Sequence, residues 1–300
     1  DWRWFTPALA VYIFSNFAVA VLYGYVTTSA PAERRGEAFA MLSSSAALGS
    51  IIAPAIGGWI GEQFGLRAVY FTASVMFTLS TLSLLPLTPQ PAEPHANRSN
   101  AGALLRNGAF TKEMILVFCL FFAVDVGLVL APKYLEEVQR LTVNEIGWLG
   151  TWAAIGMMLL VYTLSKLRGE GVRPLLIGLG LSITGLLLLR FGGNNLTLLA
   201  IAFFINGGNR LIRPPMLVRV GRLLAPQTLS FGLGIQQTAT QLGLAVSPYV
   251  AGLLYAQQPV WPFYGGLASV GVMLLVMILI FLSETAARRV QPSEHGVRPI

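Results

Sequence analysis

Residues 40–57 read AMLSSSAALGSIIAPAIG, and residues 234–251 read GIQQTATQLGLAVSPYVA. One spacing runs through both. Ala40, Gly49, Ala53, Pro54 and Gly57 in the first stretch stand where Gly234, Gly243, Ser247, Pro248 and Ala251 stand in the second, about 194 positions later. Each stretch lies in a long uncharged segment. Small residues at such intervals let a neighbouring helix come close, and a proline inside a helix bends its axis. Two bent, small-faced apolar helices at matching places imply a membrane protein built by duplication. The small and proline positions are expected to shape its helix contacts, and a bulky residue at Gly49 is expected to wedge one apart.

Working outward, the gaps between charges set the number of spans. A spanning helix needs roughly 20 mostly apolar residues. Arg3 to Glu33 encloses 29 uncharged residues, Glu37 to Glu62 encloses 24, and Arg67 to Glu93 encloses 25. Glu113 to Lys133 encloses 19, with Asp125 the only charge among them. Glu145 to Lys166 encloses 20, Arg173 to Arg190 encloses 16, and Arg190 to Arg210 encloses 19. Arg222 to Glu284 encloses 61, enough for two spans, with a break at Gln257-Gln258-Pro259. Nine spans are expected. They should be helices, because a lipid-exposed backbone must satisfy its own hydrogen bonds. The alternation that a membrane β-barrel needs is missing from runs such as Leu175 to Leu189.

Charge orients these spans. The net charge is +7, which fits the positive-inside rule better than a nucleic-acid partner. Fifteen of the 20 Lys and Arg residues fall on the side that holds the C-terminus, and five on the other: Arg3, Lys133, Arg67, Arg140 and Arg190. The C-terminus is therefore expected in the cytoplasm of a multi-pass protein of the plasma or inner membrane. Residue 1 then starts outside, and Asp1 to Trp4 reads as an interior point of a longer protein. Residues 88–113 hold three prolines and most of the local charge, and read as a cytoplasmic linker. Three spans precede it in residues 1–87. Six follow in 114–284, with a cytoplasmic tail at 285–300.

With the first block taken as a six-helix unit lacking three helices, the repeated pattern falls on the fifth helix of each half. The chain then resembles the major facilitator superfamily from its fourth to its twelfth helix. In that family the spacing carried here by Ala40, Gly49, Ala53, Pro54 and Gly57 is associated with proton-coupled drug antiporters. The turns at Pro31 to Gly36 (PAERRG), at Pro132 to Leu135 and at Glu145 to Gly147 look like family loops. Two departures stand. Lys166 occupies a place usually acidic, and no arginine lies between residues 4 and 32. The resemblance implies an all-α, MFS-type helical bundle with three helices of one half and six of the other. It also implies alternating access by a secondary active transporter of a small molecule, with proton-coupled efflux as the leading form. Uptake or sugar-type transport, and a non-transporting receptor or scaffold, remain alternatives.

Candidate site residues are few. Asp125 is the acidic residue set inside a span, so it should face a cavity or carry a proton. Arg210 and Arg213 share a helix face, beside Asn206 and Asn209 and before Pro214-Pro215, which should end or kink the helix. They read as an anion-binding or gating cluster, or as ordinary positive-inside charges. Gln237 and Gln241, one turn apart, read as a polar stripe that lines a path or joins helices. Trp148, Trp152, Trp261, Tyr134 and Tyr255 are expected in interfacial belts. The partners expected are a small molecule, protons and the lipid bilayer, with no nucleic acid. No metal site or cofactor is expected, since His95 and His295 lie outside the spans and no metal-ligand spacing occurs. No phosphate-binding loop supports an ATP-driven pump. Cys119 is the only cysteine, so no internal disulfide can form. The sequence does not set substrate identity or oligomeric state.

Overall fold

The computed structural model describes residues 34–87, 106–165, 172–225 and 228–290, with isolated positions at 25, 26, 29, 31 and 104. Every element among them is helical: α1 (Arg35–Phe64), α2 (Leu66–Leu84), α3 (Gly108–Val126), α4 (Ala131–Glu137), α5 (Val143–Ser165), α6 (Arg173–Phe191), α7 (Leu196–Gly207), α8 (Arg213–Gly221), α9 (Leu229–Gln257) and α10 (Trp261–Val290). The protein is an all-α membrane protein. The first expected span lies almost wholly outside the described residues, as do residues 88–103 of the linker and the tail beyond 290.

The described residues account for part of the expected nine. Among the described residues, five segments are long and apolar enough to cross a membrane: Ala40–Phe64, Gly108–Glu137, Val143–Thr163, Arg173–Phe191 and Trp261–Thr285. The other expected spans that fall among the described residues are helical but less uniformly apolar, for physical reasons. Hydroxyl side chains dilute α2; Ser74, Thr78 and Thr81 each donate to the carbonyl four residues back at 2.9 Å, as buried hydroxyls in lipid must. The glutamines at 236, 237 and 241 dilute α9. The span after Arg190 is divided. α7 has only 12 residues, a 3-10 turn at Gly208–Ile212 follows, and α8 opens with Pro214 in its first turn. Pro214-Pro215 thus begins a helix, where missing N–H groups cost nothing, rather than ending one.

Helix ends also move. α3 starts at Gly108, inside the stretch read as linker, because Asn107 Oδ1 accepts from the N–H groups of Ala109 (3.0 Å) and Phe110 (3.4 Å). α10 runs on to Val290, past the expected start of the tail.

The core sits among α3, α5, α6, α7 and α10, where Leu120, Leu186, Leu199, Phe263 and Met277 are fully buried. Tyr134 belongs to it and not to an interfacial belt. It is 3% exposed, stands edge-on to Phe263 at 4.9 Å, and its hydroxyl accepts from Gln139 Nε2 at 3.0 Å. Trp148, Trp152 and Trp261 are exposed.

One end of the core is tied by charge. Arg219 of α8 binds Glu113 of α3 at 2.6 Å and Glu284 of α10 at 2.7 Å. Its Nε also reaches Glu113 at 3.4 Å, giving a forked pair. The Arg219 and Glu113 side chains are 17% and 15% exposed, so removing the cation strands two acids in a poorly solvated place. Arg219→Met is expected to destabilise the bundle by about 3 kcal/mol, read from denaturant unfolding in micelles. Glu284→Gln, at the more open branch, should cost less.

Candidate functional site

The two repeated stretches do different work in the fold. In α1 the close approach to α5 is made by Pro54 and Gly58. A Cβ on Gly58 would lie 2.9 Å from Gly147 Cα, and a Cβ on Gly147 would lie 2.5 Å from the Pro54 carbonyl oxygen. Gly150 stands against the Pro54 ring. Hydrogen bonds flank this crossing: Thr151 Oγ1 donates to Ile51 O at 2.7 Å, and the Asn144 N–H donates to Glu62 Oε2 at 3.1 Å.

Gly49 and Gly57 do not make this crossing: among the described residues no other element comes within 4 Å of a Cβ built on Gly49, and only a Val69 methyl, at 4.0 Å, meets one on Gly57. Both residues, with Ala53, face an apolar groove of about 730 Å³ shared with α2. Ala40 is exposed. A helix turns about 100° per residue, so Gly57 and Gly58 look in different directions. In the second copy Gly243 packs tightly, its would-be Cβ 2.7 Å from Phe118 O of α3, whereas Gly234 meets nothing within 4 Å.

Glu62 was not singled out by sequence. It ends the apolar run of α1, and its carboxylate accepts from the first turn of another helix, α5. That is capping in trans, with the helix dipole adding to the bond. Glu62→Ala is expected to weaken the α1–α5 contact by about 1 kcal/mol. The check is whether proteolysis of the surrounding loops speeds up.

Below that crossing the helices part. A cavity of about 320 Å³ opens between Ser50 of α1, Met157 of α5 and Phe203 of α7. Asn206, Asn209 and Arg210 line it. Asn206 is 6% exposed and donates Nδ2 to Ala202 O at 3.0 Å. Its amide presses on Gly185 so closely that any side chain there would collide.

The structure thus divides the expected pathway residues. Asn206 and Arg210 share the cavity. Arg213 does not; its Nη2 donates to Gln237 Oε1 at 2.8 Å, which joins α8 to α9 at an exposed place. Gln241 is exposed on that same face of α9, while Gln236, which the sequence reading set aside, is 3% exposed with an Oε1 that meets no partner among the described residues.

Asp125 lies near the middle of the Gly108–Glu137 segment, where α3 stops before the turn that leads into α4. It does not line the cavity, though Arg210 bears on it electrostatically. Its partner is Ser247, 122 positions away, whose hydroxyl donates to Asp125 Oδ2. The same hydroxyl lies 3.2 Å from Leu244 O, the carbonyl that Pro248 leaves without a helical donor. Ser247 was read as a packing position; it is wholly buried and hydrogen-bonded. Asn195, in a triplet that resembles a glycosylation signal, caps α7 through the N–H groups of Thr197 and Leu198.

Comparison with known proteins agrees with this architecture. The sequence profile of the Major Facilitator Superfamily matches the chain over residues 4–142 and 114–300. The multidrug resistance protein MdtG of Proteus mirabilis is 25% identical over 247 residues, 75% of this chain and 60% of its own length. The quinolone resistance protein NorA of Staphylococcus aureus is 22% identical over 268 residues, 87% of this chain and 68% of its own. The chain therefore spans less than two thirds of the MdtG relative's length. With its repeated apolar helices and a profile match that covers nearly every residue, the chain belongs to the Major Facilitator Superfamily, a family of transporters rather than enzymes.

Proposed function

We propose that this chain acts in secondary active transport, moving a small molecule outward by alternating access in exchange for protons. The observation that carries the reading is the hydrogen bond from buried Ser247 to Asp125, an acid inside a membrane segment and three positions before Leu128 of the cavity wall. A hydroxyl has one proton to give. With Asp125 ionised, Ser247 donates to it. With Asp125 protonated, the acid can donate to Ser247, and Ser247 can donate to Leu244 O. Asp125 and Ser247 stay hydrogen-bonded to each other in both charge states, and protonation frees the hydroxyl proton for Leu244 O, so a proton can come and go without stranding either side chain. The relatives named for drug resistance support the outward direction.

Residues 1–87 and 114–284 then form parts of two halves, with 88–113 between them. The charge asymmetry puts the C-terminus and the Ala40 end of α1 in the cytoplasm. On that orientation the Glu62 end, where α1 meets α5, faces outside.

The test is flux in proteoliposomes holding the full chain, with a substrate panel and an imposed pH gradient. Substrate movement driven by the gradient, and abolished by a protonophore, is the expected result. Flux indifferent to the gradient removes proton exchange, and no flux of any panel member removes the transport reading.

A further inference from the structure

The lining of the cavity is uneven in a way that selects its ligand. Among the described residues that line it, Arg210 is the one ionisable group; the others are neutral, and most are apolar. The neighbouring cations are already engaged. Arg213 is turned to Gln237, and Arg219 is held between Glu113 and Glu284. Arg210 makes no ion pair among the described residues; Asp125, with which it interacts electrostatically, is hydrogen-bonded to Ser247 instead. The cavity also holds an acceptor with nothing to accept. Asn206 spends its Nδ2 on Ala202, and its Oδ1 has no partner among the described residues.

We propose that the cavity takes a small organic anion: an apolar body, one carboxylate or comparable acid seated on Arg210, and an N–H or O–H group directed to Asn206. This rests on the reading of the cavity as the substrate site. A guanidinium offers a planar fork that fits a carboxylate through two parallel hydrogen bonds. With no acid among the described residues of the wall, the same guanidinium repels an ammonium group, so selection works by rejection as well as attraction. Binding cavities range over ~300–1,000 Å³, and this one, at about 320 Å³, sits at the lower end. Its ligand is correspondingly small, near the size of a substituted single ring.

The test is equilibrium binding to the full chain in detergent with three matched probes: 4-hydroxybenzoate, 4-hydroxybenzamide and 4-hydroxybenzylamine. The anion is expected to bind about tenfold tighter than the amide, with the amine weakest. Arg210→Gln should bring the anion down to the amide, and Arg210→Lys should keep part of the difference. An amine that binds as tightly as the anion overturns the proposal, as does an Arg210→Gln variant with unchanged anion affinity, or no binding of any probe. If Arg210→Gln does not fold, the ranking on the unaltered chain decides. Binding is read without transport, so the two readings separate. Anion binding with no flux in proteoliposomes removes transport and leaves the site; flux of a cation with no anion binding does the reverse.

Discussion

Asp125→Asn is expected to abolish the response of transport to a pH gradient while leaving the fold intact. Asparagine matches aspartate in size, and its carbonyl oxygen can still accept from Ser247. It cannot gain or lose a proton. Gradient-driven flux should fall by about 10²-fold or more, the scale seen when a positioned proton-handling group is removed. Exchange of substrate for substrate, which needs no net proton movement, should persist. Ser247→Ala makes the useful companion. It removes the hydroxyl that serves both charge states, so coupling should weaken, but the titrating group remains. Flux in Asp125→Asn that still follows the imposed gradient would show that the proton is carried elsewhere.

The second large effect is expected at Gly147. The first atom of any side chain there would stand 2.5 Å from Pro54 O and 2.8 Å from Gly58 Cα. Both are backbone atoms and cannot swing aside, so α1 and α5 must separate. Gly147→Leu is expected to cost about 3 kcal/mol at this crossing and to disconnect the Glu62 end of α1. Cross-linking with a short bifunctional thiol reagent reads it directly. Cysteines at 62 and 144, placed in a chain with Cys119 changed to Ser, should be bridged in the parent, where the Glu62 carboxylate reaches the Asn144 N–H at 3.1 Å. They should fail to join in Gly147→Leu. Gly49→Leu is the contrast; among the described residues no other element lies within 4 Å of its Cβ position, so cross-linking should survive. Equal yields in all three chains would mean that the crossing does not hold the two helices together.

The fold was largely legible because lipid imposes simple arithmetic. Uncharged runs near 20 residues become helices, and most of the expected spans became helical. What failed was whatever depends on a partner. The spacing around Pro54 identifies a small-residue helix but not which face meets α5, and the neighbouring glycines at 57 and 58 offer two answers. Asp125 stood out as a lone acid, yet nothing local points to Ser247, because α9 supplies it from far along the chain. Arg219 was counted as one more positive-inside charge. Its setting depends on Glu113 and Glu284, each remote in sequence, and a charge count has no means of seeing that they converge. The break between α7 and α8 was signalled by Pro214-Pro215, but its sense was reversed, since proline is as much at home in the first turn of a helix as it is disruptive later.

The meeting of Pro54 and Gly58 with Gly147 brings main chain against main chain. Side chains at a moving joint must re-sort their torsions each time the joint turns, and each re-sorting has an entropic cost. A seam with almost none has little to re-sort. In the proposed transport cycle its surfaces would swivel through a range of angles while staying in touch, a smooth pivot rather than a ratchet, with the speed of tilt set by the groups that fasten its rim.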